Sequence, residues 1–467
     1  MAIDENTYRS SDVCALSRLL ASGDCTAVEL LEFSLSTIQD KNPHINAFIA
    51  QSESAYEEAS ASDLRRLSNA SLGPIDGIPV AIKDNLVVRD LPCSWGSRLF
   101  ENYIPSRDEI PVEKLRSFGA VIIGKTNVPE FTLEGYCANS IHGVTRNPCA
   151  MDLTPGGSSG GSVAAVASGM VPFALGTDGG GSIRRPAAYT GLVGLKPSIG
   201  RIARGGGFPQ LLMDFEVVGS LNRSVRDSRL VYSLLAGRDP RDHLSCRFND
   251  TFYTAHRSAR ILYVESFGGA PLDQEIARSV RRAINHLAYM GHHVQSGVLP
   301  IDLDALNAFW PCIGQFSIAC VKKDYPEFME KVSSQYAAMA DKGEQLGAVA
   351  MNQGWNMIQC LRNRVALLFE HYDFIVTPSC AAMPWPANEV YPPVIDGVPA
   401  GPRGHALYTG WVNACGHPAI SLPCEPGEAG VPIGFQLVAG FGCEQALFSI
   451  AEQYENAHPW THGSAIS

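Results

Sequence analysis

The sequence predicts a single large α/β domain in which a mixed central β-sheet is covered by helices on both faces. Short apolar strands alternate with amphipathic helices, which is typical of sheets that contain parallel strands. Hydrophobic residues make up 45% of the 467 residues and charged residues 18%, as in ordinary globular proteins. Large α/β enzymes often exceed the usual domain length with one core, so we predict one domain over residues 1–467.

The first third of the chain contains clear helix and strand signals. Residues 26–29 (TAVE) predict a capping box at the start of a helix, and an apolar stripe follows at helical spacing. Turn residues precede a short apolar strand at residues 78–83, which ends on a lysine. Residues 112–118 are predicted to form a helix that leads into a strand at residues 120–124.

The second half is predicted to combine a long helical region with further strands. A strand at residues 261–264 and a long amphipathic helix at 272–290 precede a helical stretch over 303–372, which we interpret as an insertion or cap. Buried strands are expected again at residues 374–376, 418–423 and 433–438. The proline-rich residues 378–402 are expected to form an ordered surface loop or a lid.

Two serine-bearing glycine loops are the most informative feature of the sequence. Residues 156–161 (GGSSGG) and 179–182 (GGGS) are separated by a helix-like and a strand-like run. Glycine permits positive φ and lets the backbone approach a ligand closely. Successive N–H groups in such a turn can converge on developing negative charge. A serine at the end of such a loop is suited to be the nucleophile of an acyl transfer.

A lysine at the end of a predicted strand supplies a third functional group. Lys83 is either a surface residue that extends its amine to solvent or a buried amine. Burial would lower its pKa and leave the amine neutral enough to accept a proton. Because a serine hydroxyl needs a positioned base and the sequence offers no convincing His/Asp pair, a lysine base is the economical solution.

These three motifs together resemble the amidase signature family. Lys83 lies in GIPVAIKDN, Ser158 in GGSSGGS and Ser182 in GTDGGGSIRRPAA, and the 24-residue separation of the two serines also agrees with the family. The resemblance is strong from about Asn46 to Arg201, with a core signature region at residues 73–201, and it resumes in the C-terminal segments GHPAISLP and PIGFQLV. Residues 240–372 match weakly, so we expect this divergent helical region to shape the substrate pocket.

The resemblance implies a role for each group. It makes Ser182 the nucleophile, Ser158 a serine with a cis peptide bond that relays the proton, and Lys83 the terminal base. The predicted product of the attack is an acyl-enzyme, which water then hydrolyses. The backbone N–H groups expected to hold the oxyanion are those of Gly179, Gly180, Gly181 and Ser182.

Four neighbouring residues are predicted to support the loop or to contact the substrate. Arg184 is expected to be structural, and Thr177 and Asp178 are expected to fix the loop through hydrogen bonds. Arg185 departs from the family, which commonly has an apolar residue there. It is a candidate for binding a substrate carboxylate, as in malonamidase-like members, but we favour a surface or structural ion pair.

The substrate is predicted less directly. An aromatic and apolar helix face in the divergent region is interpreted mainly as core, with some residues facing the site; it comprises Phe309, Trp310, Ile313 and Phe316. Trp385 and Tyr391 are candidate substrate-binding residues of a lid. An unpaired guanidinium in an apolar pocket is costly, so we favour an apolar acyl pocket with Arg185 paired elsewhere.

Two other motifs suggest different chemistry. Residues 157–161 satisfy GxSxG, so an α/β-hydrolase-type esterase with Ser159 as nucleophile is an alternative, with His405 or His417 as base. That elbow requires a strand directly before it, which residues 149–155 do not predict. Residues 119–126 match the P-loop pattern, but their apolar, β-branched centre predicts a buried strand instead.

Composition restricts the partners. The net charge is −11 without a Lys/Arg cluster, and no apolar run spans a bilayer, so neither nucleic acid nor a membrane is expected as a partner. The N-terminus lacks a signal-peptide pattern and the 13 cysteines lack zinc spacing, which predicts a cytoplasmic protein without a metal or cofactor. The expected activity is hydrolysis of a small-molecule amide by a homodimer, and the alternative within the family is the glutaminase subunit of a tRNA-dependent amidotransferase.

Overall fold

Eleven strands of the described residues form one mixed β-sheet. The computed structural model describes residues 3–248, 258–301 and 303–460. The strands, numbered along the chain, are β1 Phe48–Gln51, β2 Pro79–Lys83, β3 Val121–Thr126, β4 Ala138–Asn139, β5 Gly143–Val144, β6 Phe173–Asp178, β7 Val193–Lys196, β8 Val217–Asn222, β9 Arg260–Tyr263, β10 His293–Ser296, β11 Phe374–Pro378, β12 Val394–Ile395, β13 Val398–Pro399, β14 Ala419–Cys424 and β15 Ile433–Ala439.

Helices cover this sheet and build its outer layers. In chain order they are α1 Glu5–Ser10, α2 Val13–Ser22, α3 Ala27–Ile45, α4 Ala55–Leu67, α5 Ile110–Ser117, α6 Gly160–Ala167, α7 Arg184–Thr190, α8 Val225–Leu235, α9 Gln274–Tyr289, α10 Asp304–Asp324, α11 Phe328–Lys331, α12 Ser334–Glu344, α13 Ala348–His371, α14 Gly410–Cys415 and α15 Glu444–Ala457. No helix of the described ranges is long and apolar enough to cross a membrane.

The predicted mixed sheet is confirmed. Its order is β1-β3-β2-β6-β8-β7-β14-β15-β11-β9-β10, with β4–β5 and β12–β13 as separate hairpins. Strand β2 runs parallel to β3 and β6, and β9 runs parallel to β10 and β11, whereas the remaining pairs are antiparallel. Both parallel groups are joined by helical crossovers, as parallel strands require.

Most predicted elements are present with small shifts of their ends. Thr26 forms the capping box that begins α3, and its side chain accepts a hydrogen bond from the N–H of Glu29. The strand predicted at 120–124 continues to Thr126, so Lys125 lies inside β3. Residues 303–372 form the four helices α10–α13, and the wider region 240–372 also adds β9 and β10 to one edge of the sheet.

The proline-rich segment after β11 was expected to be a surface loop or lid, and this is wrong for its first part. Trp385 is buried, its carbonyl accepts a hydrogen bond from the N–H of Thr154 at 2.8 Å, and its ring packs edge-on against Tyr189. The apolar content of this part places it in the core. Only the later part, with the hairpin β12–β13, is largely exposed.

Side chains alternate between two core clusters along the central strands. In β11, Phe374 and Val376 pack in the cluster that contains the apolar face of α9, whereas Ile375 packs in the cluster that contains Trp310. This alternation is the period-two pattern of a strand that is buried on both faces. The sheet therefore has helices on both sides, and Trp310 reaches it from the divergent region.

Parallel pairing of β2 and β6 brings two carboxyl ends of strands together. Val80 pairs with Phe173 and Ile82 with Leu175, so Lys83 at the end of β2 lies beside the end of β6. The chain leaves β6 at Asp178 and enters the run 179–182. In open α/β sheets the carboxyl ends of parallel strands are where ligands bind. The topology thus places the predicted lysine next to the predicted nucleophile loop.

Lys125 of the P-loop-like sequence has a structural role. Its amine lies 2.9 Å from Oδ1 of Asp84, and both side chains are fully buried. Burial lowers the pKa of Lys125, but the adjacent Asp84 and Cys93 more than offset this and the net shift is upward. The lysine therefore stays charged inside a strand, where it cannot cradle a nucleotide phosphate, and the buried-strand interpretation is confirmed.

Replacing Lys125 by methionine should destabilise the fold by about 3 kcal/mol, because Asp84 would be left as an uncompensated buried charge. Thermal unfolding measures the change. Lys323 is exposed, so Lys323→Met is the matched control and should leave the unfolding temperature unchanged. An unfolding temperature of Lys125→Met equal to that of the parent would contradict a buried ion pair at this position.

Candidate active site

The amine of Lys83 is buried among three oxygen atoms. Its Nζ lies 2.8 Å from Oγ of Ser158, 2.8 Å from Oγ1 of Thr177 and 3.2 Å from the carbonyl oxygen of Thr177. Burial lowers the pKa of Lys83 to about 7, although attraction to Glu216 and Asp178 opposes the shift. The amine is therefore poised to be neutral near physiological pH, as a proton acceptor requires.

Ser158, in the first glycine loop, is held against this amine. The Gly157–Ser158 peptide bond is cis, and the side chain of Ser158 is almost fully buried. A neutral amine has two N–H donors and one lone pair. The carbonyl of Thr177 can only accept a hydrogen bond. The hydroxyl of Ser158 can donate a hydrogen bond, so it can donate to the lone pair of the Lys83 amine.

Ser159 makes hydrogen bonds within the protein through its hydroxyl and its carbonyl. It precedes α6, its carbonyl accepts the N–H of Val163, and its hydroxyl donates to the carbonyl of Thr177 at 3.1 Å. No strand directly precedes it, because the nearby residues form bends and an isolated bridge. The geometry of a nucleophile elbow is absent from this described segment, so the Ser159 esterase alternative is less favoured.

The two histidines considered for that alternative have other surroundings. The Nδ1 of His417 lies 3.1 Å from the carbonyl oxygen of Ala439. His405 is buried, and within the described residues neither of its ring nitrogens has a hydrogen-bond partner. Neither histidine has a carboxylate partner in the described part of the chain. A Ser/His/acid triad is therefore not assembled there.

Glycine is required at the loop that leads to Ser182. A methyl group on Cα of Gly180 would lie 2.9 Å from Cζ2 of Trp310, and one on Gly181 would overlap Oγ1 of Thr409. Gly181 also has a φ of 114°, which favours glycine. The ring of Trp310 thus forms a wall directly against the loop, so this residue of the predicted helix face does face the site.

The N–H groups of this loop are not equivalent. The N–H of Gly181 donates to Oδ1 of Asp178 at 2.6 Å, which removes it from the predicted oxyanion donors. Among the described residues, the N–H groups of Gly179, Gly180 and Ser182 have no acceptor. The hydroxyl of Ser182 likewise has no hydrogen-bond partner there. Three backbone donors and one hydroxyl are therefore free at the end of β6.

Asp178 and Arg184 fix the loop from behind, as predicted. They form a fully buried ion pair at 2.9 Å, and Asp178 also accepts the N–H of Ile183 at 3.1 Å. Burial opposes its ionisation, but the attraction and hydrogen bonds of Arg184 hold the pKa of Asp178 well below its usual range. Arg184 also donates to Gln436 and Asn413, two residues that no sequence pattern singled out.

The prediction that Arg185 forms an ion pair is wrong. Its guanidinium donates to the carbonyl of Gly180 at 2.6 Å, to Oγ1 of Thr409 at 3.1 Å and to the carbonyl of Gly157 at 3.4 Å. No carboxylate of the described residues pairs with it. Arg185 therefore ties the two glycine loops together through their carbonyl groups, which an apolar residue at this position could not do.

The remaining candidates for substrate contact differ in position. Ile313 is core and Phe316 is 43% exposed, whereas Phe309 packs against Gly354 of α13. Trp385 donates to the carbonyl of Glu389 and packs against His405, so it is a core residue rather than a lid. Tyr391 is half-buried, and no hydrogen bond or ring contact of the described residues joins it to the loop.

Two further residues complete the setting of the lysine. The amide of Asn85 donates to Oγ1 of Thr177 at 2.9 Å and to Oε1 of Glu216 at 2.7 Å. Asn85 stands two residues after Lys83 in the sequence, a signal that could have identified it. Glu216 is distant in sequence and offered none. No cluster of His, Cys, Asp or Glu in the described ranges has the arrangement of a metal site.

Comparison with known proteins agrees with this geometry. The Amidase family model matches residues 29–448. The chain belongs to the amidase family. Members hydrolyse amide C–N bonds, so the protein is an enzyme of that type.

Individual members are similar over almost the whole chain. The chain is 32% identical to a glutamyl-tRNA(Gln) amidotransferase subunit from Prochlorococcus marinus (strain MIT 9211), over 94% of this chain and 95% of that protein. It resembles the structure of a bacterial aryl acylamidase of the amidase signature family with a TM-score of 0.89 and 25% identity, over 97% of both chains. It also resembles 6-aminohexanoate cyclic dimer hydrolase with a TM-score of 0.87 and 28% identity, over 98% and 100% of the two chains.

The wall formed by Trp310 can be tested in this amidase-family enzyme by a double substitution. Gly180→Ala should lower kcat/KM by about tenfold or more, because the new methyl group displaces either the loop or the ring. Trp310→Leu removes the obstructing ring, so the double variant should lose less than the product of the two single losses.

Gly181→Ala is the matched control. The positive φ at this position persists whichever ring is present, so Trp310→Leu should not rescue it. Losses that simply multiply in the Gly180→Ala, Trp310→Leu double variant would show that the ring does not pack against Gly180.

Proposed function

We propose that the enzyme hydrolyses a small-molecule carboxamide or anilide to a carboxylic acid and an amine or ammonia, with Ser182, Ser158 and Lys83 as its catalytic groups. The observation that carries this proposal is the 2.8 Å contact between the buried Lys83 amine and the hydroxyl of Ser158. With a pKa near 7, the amine can take a proton at physiological pH. No other base among the described residues is so placed beside the two loops.

The proton moves away from the nucleophile in two linked transfers. Ser158 gives its hydroxyl proton to the neutral Lys83 amine and receives the proton of Ser182. The Ser182 oxygen then forms a bond to the carbonyl carbon of the amide, and the carbonyl π electrons move to oxygen. Within the described residues the hydroxyl of Ser182 makes no hydrogen bond, and catalytic hydrogen bonds commonly tighten only in the substrate complex.

The oxyanion is stabilised by the free backbone donors of the loop. We assign this role to the N–H groups of Gly179, Gly180 and Ser182, and not to that of Gly181, which Asp178 already accepts. Each donor of this kind is worth roughly 100- to 1000-fold in rate. Because Asp178 and Arg184 fix the loop beforehand, the donors need no rearrangement during the reaction.

Collapse of the tetrahedral adduct completes the first half of the reaction. The C–N bond breaks, the leaving nitrogen takes the proton back through Ser158, and an ester of Ser182 remains. Water then enters and gives a proton to the same relay. Its oxygen attacks the ester carbonyl, the bond between the acyl carbon and the Ser182 oxygen breaks, and that oxygen takes the proton back through Ser158 as the carboxylic acid is released. Lys83 is neutral again at the end of each half.

Support for a small-molecule substrate comes from the solved structures that the chain resembles. One is an aryl acylamidase and one acts on a cyclic dimer of 6-aminohexanoate, and both match over at least 97% of this chain. The second candidate is the glutaminase subunit of a tRNA-dependent amidotransferase. It is supported by 32% identity to such a protein, whose name implies a partnership with tRNA.

One screen separates these two candidates. Purified protein is assayed for release of acid and amine from anilides, aliphatic amides and dicarboxylic half-amides, and for release of ammonia from glutamine. Turnover of small amides by the isolated chain, with glutamine a poor substrate, supports the first. Glutamine as the preferred substrate supports the second.

Assembly and compartment remain predictions. We propose a homodimer in the cytoplasm. All thirteen cysteines, each within the described residues, are free thiols, which suits a reducing compartment. Sedimentation velocity of the purified chain measures the first property, and fractionation of cells that produce it measures the second.

A fluorophosphonate probe should label Ser182 and no other serine of the two loops. Peptide mapping of the adduct identifies the residue. Ser182→Ala should abolish labelling and lower turnover by about 1000-fold or more, because the nucleophile is lost. Ser159→Ala is the matched control and should still be labelled at Ser182. An adduct on Ser159 would contradict the assignment.

The pH dependence of kcat/KM should report the Lys83–Ser158–Ser182 network. Only the neutral amine accepts a proton, so the rate should be low below pH 6, rise through an apparent pKa near 7 and level off above pH 8. Lys83→Met, which preserves much of the side-chain volume, should fold and lose about 100- to 10,000-fold in rate.

EDTA serves as a control and should leave the rise of kcat/KM with pH unchanged, since the mechanism uses no metal ion. Near-normal turnover of Lys83→Met, or a profile already level at pH 5, would exclude the relay.

A further inference from the structure

We propose that Arg403, stacked on Trp310 beside the glycine loop, binds a carboxylate of the substrate, so that the preferred substrates are amides of dicarboxylic acids with one free carboxylate. This inference rests on the proposed amide hydrolysis at Ser182 and names its substrate class. It assigns a specificity role to a residue outside the segments that carry the family resemblance.

The position of Arg403 follows from three contacts. Its guanidinium carbon lies 4.5 Å from the centre of the Trp310 ring. The same ring packs against Gly180, where a methyl group would lie 2.9 Å from it. Both side chains also border Gly410, since a methyl group there would lie 3.3 Å from Nη2 of Arg403 and 3.4 Å from Cζ3 of Trp310. The guanidinium and the loop of the proposed oxyanion donors therefore border the same aromatic ring.

Arg403 lacks the partner that a charge in such surroundings needs. It is half-buried, and no carboxylate of the described residues lies within ion-pair distance of it. Buried Arg184 and Arg204 have fixed ion pairs with Asp178 and Glu109, and buried Arg185 is held by carbonyl oxygens. An arginine held on a ring without an anion is costly unless an anion arrives during function.

The electrostatic surroundings favour an anion and disfavour a cation. Two charged groups face Arg403 electrostatically, Arg185 and Glu134. Glu134 already accepts a hydrogen bond from Nε2 of Gln335, and burial raises its pKa. Burial lowers the pKa of Arg403 and repulsion from Arg185 lowers it further, whereas attraction to Glu134 opposes the shift.

A neighbouring histidine reports the same excess of positive charge. Burial holds the pKa of His405 well below its usual value, and both Arg185 and Arg403 add to the shift. His405 therefore stays neutral and contributes no charge of its own. Arg185 and Arg403 thus place two positive charges near His405, and a bound carboxylate would offset the charge of Arg403.

The chemistry of the guanidinium selects the ligand. Its planar fork offers paired N–H donors that match the two oxygens of a carboxylate, and stacking on Trp310 fixes the plane. A substrate that also carries an ammonium group, such as glutamine, would bring its positive charge towards those of Arg403 and Arg185. The arrangement thus favours a half-amide of a dicarboxylic acid over an amino-acid amide.

The test compares matched pairs of substrates on the full chain. Succinamate and glutaramate carry the carboxylate, and butanamide and pentanamide replace it by a methyl group at the same chain length. Glutamine is the third kind of substrate. The values of kcat, KM and kcat/KM are measured for the parent, for Arg403→Gln and for Arg403→Lys. Arg364→Gln, on the exposed face of α13, is the matched control.

The parent should prefer at least one half-amide over its neutral counterpart and over glutamine. Arg403→Gln should raise KM for that half-amide by about 30-fold more than for the neutral amide, a ratio that corresponds to about 2 kcal/mol, the worth of a hydrogen bond to a charged group. Arg403→Lys should retain part of the preference, because it keeps the charge but loses the fork. Arg364→Gln should match the parent on every substrate.

Three results would overturn the inference. They are a parent that prefers the neutral amides, equal losses of Arg403→Gln on both members of a pair, and a parent that prefers glutamine. Labelling of Ser182 by the fluorophosphonate probe is recorded in every variant. Intact labelling with turnover of neutral amides alone rejects the role of Arg403 and leaves the proposed hydrolysis in place, whereas loss of labelling in the parent rejects the hydrolysis itself.

Discussion

The buried ion pair between Asp178 and Arg184 is the interaction on which the site depends. Asp178 ends the strand β6 and accepts the N–H groups of Gly181 and Ile183, so it holds both sides of Ser182. Arg184 extends the same network to Asn413 and Gln436, which belong to α14 and β15. Asn413 and Gln436 satisfy hydrogen-bonding groups of this buried pair that the pair itself leaves open, so the C-terminal part of the chain packs behind the proposed nucleophile loop. The loop is therefore fixed before a substrate arrives.

Two buried lysines on neighbouring strands show how their surroundings determine whether each amine is protonated. Lys83 in β2 and Lys125 in β3 both lose their hydration, and burial disfavours the charged form of each. Asp84 lies 2.9 Å from the amine of Lys125 and keeps it protonated. Lys83 receives only neutral oxygens in direct contact, while Glu216 and Asp178 act from farther away. One residue, Asp84, thus separates a structural cation from a candidate base.

The sequence predicted those features that local chemistry determines. The capping box at Thr26, the strand that ends at Lys83 and the glycine loops follow from propensity, periodicity and backbone freedom, and the mixed sheet followed from their alternation. Features that depend on distant partners were not predictable in this way. The carbonyl groups that Arg185 contacts belong to two loops, and the ring of Tyr189 that buries Trp385 lies almost 200 positions away in the sequence. The sequence alone does not show whether an arginine donates to a carboxylate or to a backbone carbonyl.

The same reasoning explains how one catalytic scaffold can accept different amides. The loop that contains Gly180 requires glycine because the side chain of Trp310 from α10 occupies the adjacent space. The divergent region therefore forms the wall, and the glycine motif supplies the proposed oxyanion donors. Arg403 reaches that wall from the segment before α14, which is a third separate part of the chain. Exchange of Trp310 or Arg403 would alter what lies beside the proposed oxyanion donors without disturbing the contacts of Asp178 or Lys83. Specificity can therefore vary independently of the chemistry, because the two are built from different segments that meet at Gly180.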